Sequence, residues 1–287
     1  MHICSSVSDA FERCFSSKTF SVVHLQEHPV SDLSLPSDFY VFFFSVSGNF
    51  HILIRNRICQ IFSGSFLFIR PYEFCHIVPS PQICAEGYLL FIHPDYTQTL
   101  SVYRNEWTAR FNRPTPEHLQ PYYPNTSQAE LLLRQIRILF SAEGFGSIVR
   151  KQNACTELLL LLYSLPVNSN RHLSSSAGNT RSTFLQVCDI LDYIDRNLTR
   201  TPMLTEIAKA FYLSPSYVSR IFKAHTGLTV NHYMNTRRIC LAKSLLSSGC
   251  TLAECTQQCG FHDYNTLLKT FKKFTGHSPT HYLAKLH

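Results

Sequence analysis

The chain has 287 residues, 45% of them hydrophobic, which is long enough for two domains with their own cores and too apolar for a disordered chain. Its eleven cysteines form no Cys-x-x-Cys pair and no Cys/His cluster at zinc-finger spacing, which argues against a disulfide scaffold or a zinc finger and fits a reducing compartment. The net charge of +7 falls entirely in the C-terminal part: residues 181–287 hold 13 Lys and Arg against 6 Asp and Glu, and the first 180 residues balance at 13 against 13. Such a segregated charge suits a polyanion through counterion release, and taken alone it suits a membrane surface or simple solubility equally well.

Met1-His2-Ile3-Cys4-Ser5-Ser6 lacks the basic stretch and long apolar run of a secretion signal. The longest apolar runs, Phe39 to Val46 and Tyr88 to Ile92, are far shorter than the ~20 residues of a membrane-spanning helix. The expectation is a soluble, cytoplasmic chain with no membrane partner.

From Phe20 to about His93, short segments rich in Val, Ile, Phe and Tyr alternate with turn residues. Tyr40 to Ser45, Phe50 to Ile54, Ile58 to Phe62, Phe66 to Ile69 and Tyr88 to Ile92 read as strands. Ser47-Gly48-Asn49, Asn56-Arg57, Ser63-Gly64-Ser65 and Pro79-Ser80-Pro81 read as their connections. Strands so closely spaced predict a small barrel or sandwich.

Pro94 to Tyr103 predicts a helix, and the Pro- and Tyr-rich stretch from Asn105 to Thr126 has no assignment. Ser127-Gln128-Ala129-Glu130 has the form of a capping box opening a helix through Leu131 to Phe140, and Ile148 to Leu165 adds a Leu-rich second helix. The Leu-rich face can pack on the strands. Residues 166–182, polar and without periodicity, read as a flexible linker.

Phe184 to Leu198, apolar at 184, 187, 190, 191 and 194, predicts a supporting helix that ends before Pro202. Beyond it the chain repeats itself. Ile221-Phe222-Lys223 followed by Thr226-Gly227 returns 49 residues later as Thr270-Phe271-Lys272 followed by Thr275-Gly276. Each copy starts with a short amphipathic run, Leu204 to Phe211 or Leu252 to Cys259. A break follows, at Leu213-Ser214-Pro215 or Gly260-Phe261-His262-Asp263, where Ser or Asp caps a helix and Pro suits its first position. The second helices, Ser216 to Lys223 and Tyr264 to Lys273, turn Val218, Ile221 and Phe222, or Leu267, Thr270 and Phe271, inward. Their outer faces carry Tyr217, Ser219, Arg220 and Lys223, or Tyr264, Asn265, Lys269 and Lys272. Such side chains fit a DNA groove. Between the copies, Val230 to Ser248 is apolar at 230, 234, 239, 241, 242, 245 and 246 and reads as one long helix, a strut of ~1.5 Å per residue between two reading helices that must stand ~34 Å apart.

The run from Leu204-Thr205-Glu206-Ile207-Ala208 to Ser278-Pro279-Thr280-His281-Tyr282, with Tyr233, Arg238, Ala242 and Leu245-Leu246 in the strut, resembles the DNA-binding domain of AraC/XylS-family transcription regulators over the last third of the chain. It departs from the family pattern at Met203, where a capping residue is usual, and at Cys255-Thr256 and Cys259, where Ile-Ala and Val are usual. The resemblance implies an α+β chain. Residues 1–165 would form a cupin-like β-barrel with a helical pair that senses and dimerises, 166–182 a linker, and 183–287 an all-α domain of two helix-turn-helix units, about 204–223 and 252–273. The segment Gly64, Ser65 to Arg70, Pro71 and His76 is similar to the second half of a cupin motif.

Carried over residue by residue, the resemblance implies base contacts at Ser216, Tyr217, Ser219 and Arg220 in the first unit and at Tyr264, Asn265, Leu268 and Lys269 in the second, with Thr266 alongside. Arg220 has the bidentate geometry for guanine, Asn265 that for adenine, and Leu268 suits a thymine methyl. Lys223, Lys272, Lys273, Ser278 and Thr280 are expected at phosphates, where they set register without reading sequence. The implied function is a sequence-specific regulator, an activator touching RNA polymerase, that binds promoter DNA as a homodimer and answers to a small effector.

Among polar residues of the strand region, His51, Arg70, Tyr72 and His76 are the effector candidates, with Arg55, Glu73 and His93 nearby in sequence; most such residues simply face water. Without a His-x-His pair followed by Glu, no metal or other cofactor is expected. The rival readings are a cupin-type metal-dependent enzyme and a cysteine redox sensor fused to the DNA-binding part. Cys255 and Cys259 stand one turn apart at core positions, which favours burial over sensing.

Overall fold

The computed structural model describes residues 6–25, 33–35, 38–78, 85–100, 121–164 and 178–286. They fall into two compact units. The first comprises Met1–Ile52, Cys59–Pro71 and Pro79–His172; the second comprises Leu53–Ile58, Tyr72–Val78 and Leu173–His287.

The strand-rich part begins with a helix that sequence periodicity did not suggest, α1 (Val7–Ser17), capped by the Ser6 hydroxyl accepting from the Asp9 N–H. Among the described residues eight strands follow: β1 (Phe20–Leu25), β2 (Leu33–Leu35), β3 (Tyr40–Ser47), β4 (Phe50–Ile54), β5 (Arg57–Ile61), β6 (Phe66–Ile69), β7 (Cys75–Val78) and β8 (Glu86–Ile92). They form two four-stranded sheets, ordered β1-β8-β3-β6 and β2-β7-β4-β5. In the first sheet β8 pairs antiparallel with β1 (Phe20 opposite Ile92) and with β3 (Phe42 opposite Leu90), and a bulge lies between Ser45 and Ser47.

Residues Tyr40 to Ser45 of β3 are buried on both faces, which explains an unbroken apolar run where a half-exposed strand would alternate. Tyr40, Phe42 and Phe44 face a helical hairpin, α3 (Thr126–Ser141) and α4 (Ser147–Ser164), and meet Leu132, Ile136 and Leu158 there. Between β8 and this hairpin, α2 spans Pro94–Leu100.

The capping box expected at Ser127 to Glu130 lies two residues earlier. Asn125 Oδ1 accepts from the Gln128 N–H at 2.9 Å and Gln128 Oε1 accepts from the Asn125 N–H at 3.1 Å, so Ser127 sits inside the first turn. Asn is as good a cap as Ser, and two overlapping boxes compete in this stretch. The Pro79-Ser80-Pro81 connection and nearly all of the 105–126 stretch lie outside the described residues, as does most of the linker. The last linker residues, 178–182, already belong to the next helix.

That helix, α5 (Gly178–Arg196), buries Val187, Ile190, Leu191 and Ile194 completely and leads through a 3-10 turn, Leu198–Arg200. Six helices follow: α6 (Leu204–Ala210), α7 (Pro215–Thr226), α8 (Val230–Ser247), α9 (Leu252–Gln258), α10 (Tyr264–Thr275) and α11 (Pro279–Leu286). Two hydrophobic clusters share α8. Its first half places Val230, Tyr233 and Met234 with Ile207, Val218 and Phe222; its second half places Ile239, Ala242 and Leu246 with Cys255, Leu267 and Phe271. Leu241 and Leu245, expected inside, are half-buried, and so is Thr270.

The largest fully buried side chain of α8 is Tyr233, outside the expected apolar stripe. Its ring stands edge-on to Phe222 and Phe74, and its hydroxyl donates to the Arg55 carbonyl at 2.6 Å within the second unit. Burying a tyrosine requires such a partner for the hydroxyl. Arg238 is tied equally firmly: Nε and Nη2 both donate to the Leu198 carbonyl, at 2.9 and 2.8 Å, which locks the 3-10 turn onto α8.

Candidate nucleic-acid interface

The duplicated motif becomes two copies of one local structure, α6-turn-α7 and α9-turn-α10. Both reading helices start on a side-chain cap: Ser214 Oγ accepts from the Tyr217 N–H at 3.2 Å, and Asp263 Oδ1 accepts from the Thr266 N–H at 2.8 Å. Both end alike. Gly227 and Gly276 take φ of 76° in each case and donate back to Lys223 and Lys272, and Thr226 and Thr275 hydroxyls donate to Phe222 and Phe271 carbonyls. Only Gly adopts this left-handed closing geometry without cost, which accounts for the repeated Thr-Gly.

The copies differ at their entries. Thr251 and Glu254 form a complete capping box, with Glu254 Oε2 accepting from the Thr251 N–H at 2.8 Å and Thr251 Oγ1 accepting from the Glu254 N–H at 3.3 Å. In the first copy only half survives: Glu206 accepts from the Met203 N–H at 2.9 Å, and Met203 has no side-chain acceptor to return the bond. The second turn, 259–263, is also one residue longer than the first, 211–214.

On α7, Ser216, Arg220 and Lys223 are exposed, and Tyr217 and Ser219 are half-buried on the same side. On α10, Tyr264, Asn265, Thr266, Lys269, Lys272 and Lys273 are exposed, and Leu268 is half-buried. The expected base and phosphate residues of each helix thus share its solvent face, opposite Val218 and Phe222 or Leu267 and Phe271. Ser278 and Thr280, expected at a phosphate, are exposed at the start of α11, where the Ser278 hydroxyl accepts from the His281 N–H at 3.2 Å. Tyr212, in the turn before α7, was not singled out by motif reading; counted from the starts of α6 and α9, 48 residues apart, it falls opposite Gly260.

The effector candidates are divided: His51 and Arg70 belong to the first unit, Tyr72 and His76 to the second. Arg70 and His76 are buried, Tyr72 is half-buried in the left-handed region (φ 65°), and burial lowers the pKa of half-buried His51. Glu73 is buried and paired with Arg55 at 3.0 Å. A crevice inside the first unit, between Phe42, Phe44 and Tyr88 of the sheet and Leu132, Ile136 and Leu158 of the helices, is lined by apolar side chains and by none of these four. Among the described residues no group of three or more His, Cys, Asp or Glu is placed to hold a metal ion. Among them, too, no helix is long and apolar enough to cross a membrane.

Residues 207–285, which contain both reading helices and the strut, match a family model described as a helix-turn-helix domain. Over these residues the chain is similar to the helix-turn-helix domains of transcription regulators. An uncharacterised HTH-type transcriptional regulator, YijO of Escherichia coli, is 35% identical over 34% of this chain and 35% of its own length, so the chain spans about a third of that relative. The HTH-type transcriptional activator RhaS of Salmonella schwarzengrund is 24% identical over 76% of both chains. Among solved structures, an apo ToxT variant from Vibrio cholerae shares 15% identity over 94% of this chain and 98% of its own, with a TM-score of 0.38. YijO and RhaS are described as regulators of transcription, and the matched domain contains the repeated motif.

Proposed function

We propose that this chain is a sequence-specific DNA-binding transcription regulator that lays α7 and α10 into successive major grooves of one duplex, with α8 as the strut between them. The observation that carries this reading is the pair of identically closed reading helices, each presenting an exposed basic face: Arg220 and Lys223 on one, Lys269, Lys272 and Lys273 on the other. At ~1.5 Å per residue the 18-residue α8 is about 27 Å long, most of the ~34 Å between successive grooves. Ser216, Ser219, Arg220, Tyr264, Asn265, Leu268 and Lys269 then face base edges. Lys223, Lys272, Lys273, Ser278 and Thr280 face phosphates.

The strand region senses a small effector, with His51 and Arg70 of the first unit as contacts, and residues 166–177 link it to the reading domain. A second copy of the chain covers the apolar surface on the α3-α4 hairpin, where Leu131, Phe145, Ile148, Val149 and Leu160 are exposed. The regulator acts in the cytoplasm as an activator beside RNA polymerase, as RhaS is named an activator.

The test is binding of Arg220→Ala and Asn265→Ala chains to a promoter duplex recovered by chromatin precipitation and to a scrambled duplex of equal length. Base reading predicts a loss of about 1 to 3 kcal/mol on the promoter and little on the scrambled duplex. Equal losses on both would refute it.

A further inference from the structure

Among the described residues five non-glycine residues hold a positive φ, and one of them is Tyr212, at 56°, in the turn between α6 and α7. An aromatic side chain is a poor occupant of the left-handed region, because its Cβ crowds the following carbonyl. The second copy places Gly260, at φ 73°, one residue past the C-cap of α9, as Tyr212 stands one residue past the C-cap of α6. There glycine is obligatory on two grounds. Its φ demands it, and a Cβ would come within 2.4 Å of the Thr199 carbonyl oxygen.

The first turn is open where the second is sealed. Tyr212 is 97% exposed, and its ring and hydroxyl meet no partner among the described residues. The turn does not need the side chain to close: the Tyr212 N–H donates to the Lys209 carbonyl at 3.2 Å and the Leu213 N–H to the Ala208 carbonyl at 2.9 Å, bonds that any residue would make. Glycine would hold this turn with less strain and expose no apolar ring. Strained residues cluster at sites that bind a ligand or partner.

Position names the contact. Tyr212 stands two residues before Ser214, the cap of the helix whose face carries Ser216, Tyr217 and Arg220, so its Cα lies within about 7 Å of that cap. A duplex seated on α7 brings a backbone wall beside this turn, and tyrosine hydroxyls are among the groups that hold phosphates. We propose that Tyr212 is a further DNA contact, its hydroxyl donating to a backbone phosphate of the duplex read by α7. This rests on the DNA-binding reading above.

The experiment compares full-length Tyr212→Gly and Tyr212→Phe chains with the unsubstituted chain. It measures thermal unfolding and affinity for the promoter duplex and for a scrambled duplex, with Arg220→Ala as the control for base reading. Tyr212→Gly is expected to raise Tm by roughly 2 to 4 °C and to weaken binding of both duplexes by the same factor, about 3- to 10-fold. Tyr212→Phe should keep Tm and lose most of the same affinity. Unchanged affinity in both variants overturns the contact, and so does a Tm that fails to rise with Gly, since the strain would then be absent. If affinity holds but transcription by purified RNA polymerase falls, the ring serves the polymerase and the phosphate contact is wrong. If the unsubstituted chain does not prefer the promoter duplex, or Arg220→Ala costs nothing there, the underlying reading fails and this contact falls with it.

Discussion

The Arg220 guanidinium carbon lies 5.2 Å from the centre of the Tyr217 ring, one turn earlier on α7. A guanidinium over an aromatic face is held in place at a gain of about 0.5 to 1 kcal/mol at an exposed site. Tyr217, expected from sequence to touch bases, thus has a second role in aiming Arg220. Tyr217→Ala should weaken promoter binding a few-fold, less than Arg220→Ala, and in the double variant the two losses should fall short of their sum. Additive losses measured by titration would separate the residues.

Arg238 is a buried cation whose two nitrogens share the Leu198 carbonyl. Arg238→Met keeps most of the volume and strands that carbonyl. Such a loss costs about 2 to 3 kcal/mol for a bond to a charged group, so chemical denaturation should show it with an unchanged slope. Arg238→Lys should not restore it, because an ammonium cannot supply the paired geometry.

The caps of the second copy titrate. Hydrogen bonds from the Thr266 hydroxyl and then its backbone N–H hold Asp263 below its ordinary 3.8, and the Thr251 backbone and then its hydroxyl hold Glu254 below its ordinary 4.5. A carboxylate whose folded pKa is depressed stabilises the fold above its unfolded pKa, and that stability is lost as pH falls through the folded pKa. Tm should therefore drop from about pH 4.5 downward, and Asp263→Asn should flatten part of that slope. An unchanged slope in the variant would mean that the cap contributes nothing.

Cys255 and Cys259 lie in the core of the second copy, and burial pushes their thiols up to about 11 and about 12. The thiolate is the reactive form. At neutral pH the folded protein should resist alkylation at both positions, and mild peroxide should leave DNA affinity unchanged. Rapid labelling of either residue in the folded state, or a reproducible loss of affinity on oxidation, would revive a redox role.

Local signals carried most of what was legible in the sequence. The repeated Phe-Lys and Thr-Gly fixed both reading helices to within a few residues, because caps and left-handed closures are set by neighbours in the chain. The strut was legible from its period, but its largest buried side chain was not. Tyr233 is buried because its hydroxyl reaches Arg55, 178 residues away, and no local pattern reports such a bond. Arg238 and Lys243 are buried for similar reasons, Lys243 lying 5.2 Å from the Tyr282 ring. Tyr40 to Ser45 read correctly as a strand although both faces are covered, because aromatic and β-branched residues outweighed the missing alternation.

The central claim is that two reading helices lie along one face of a single duplex. Hydroxyl-radical footprinting of the full chain on a promoter fragment recovered by chromatin precipitation tests it most directly. The account predicts two protected patches about one helical turn apart on the same face, with Arg220→Ala thinning one and Asn265→Ala the other. A single patch, or none on a fragment that the chain demonstrably retains in cells, would contradict it.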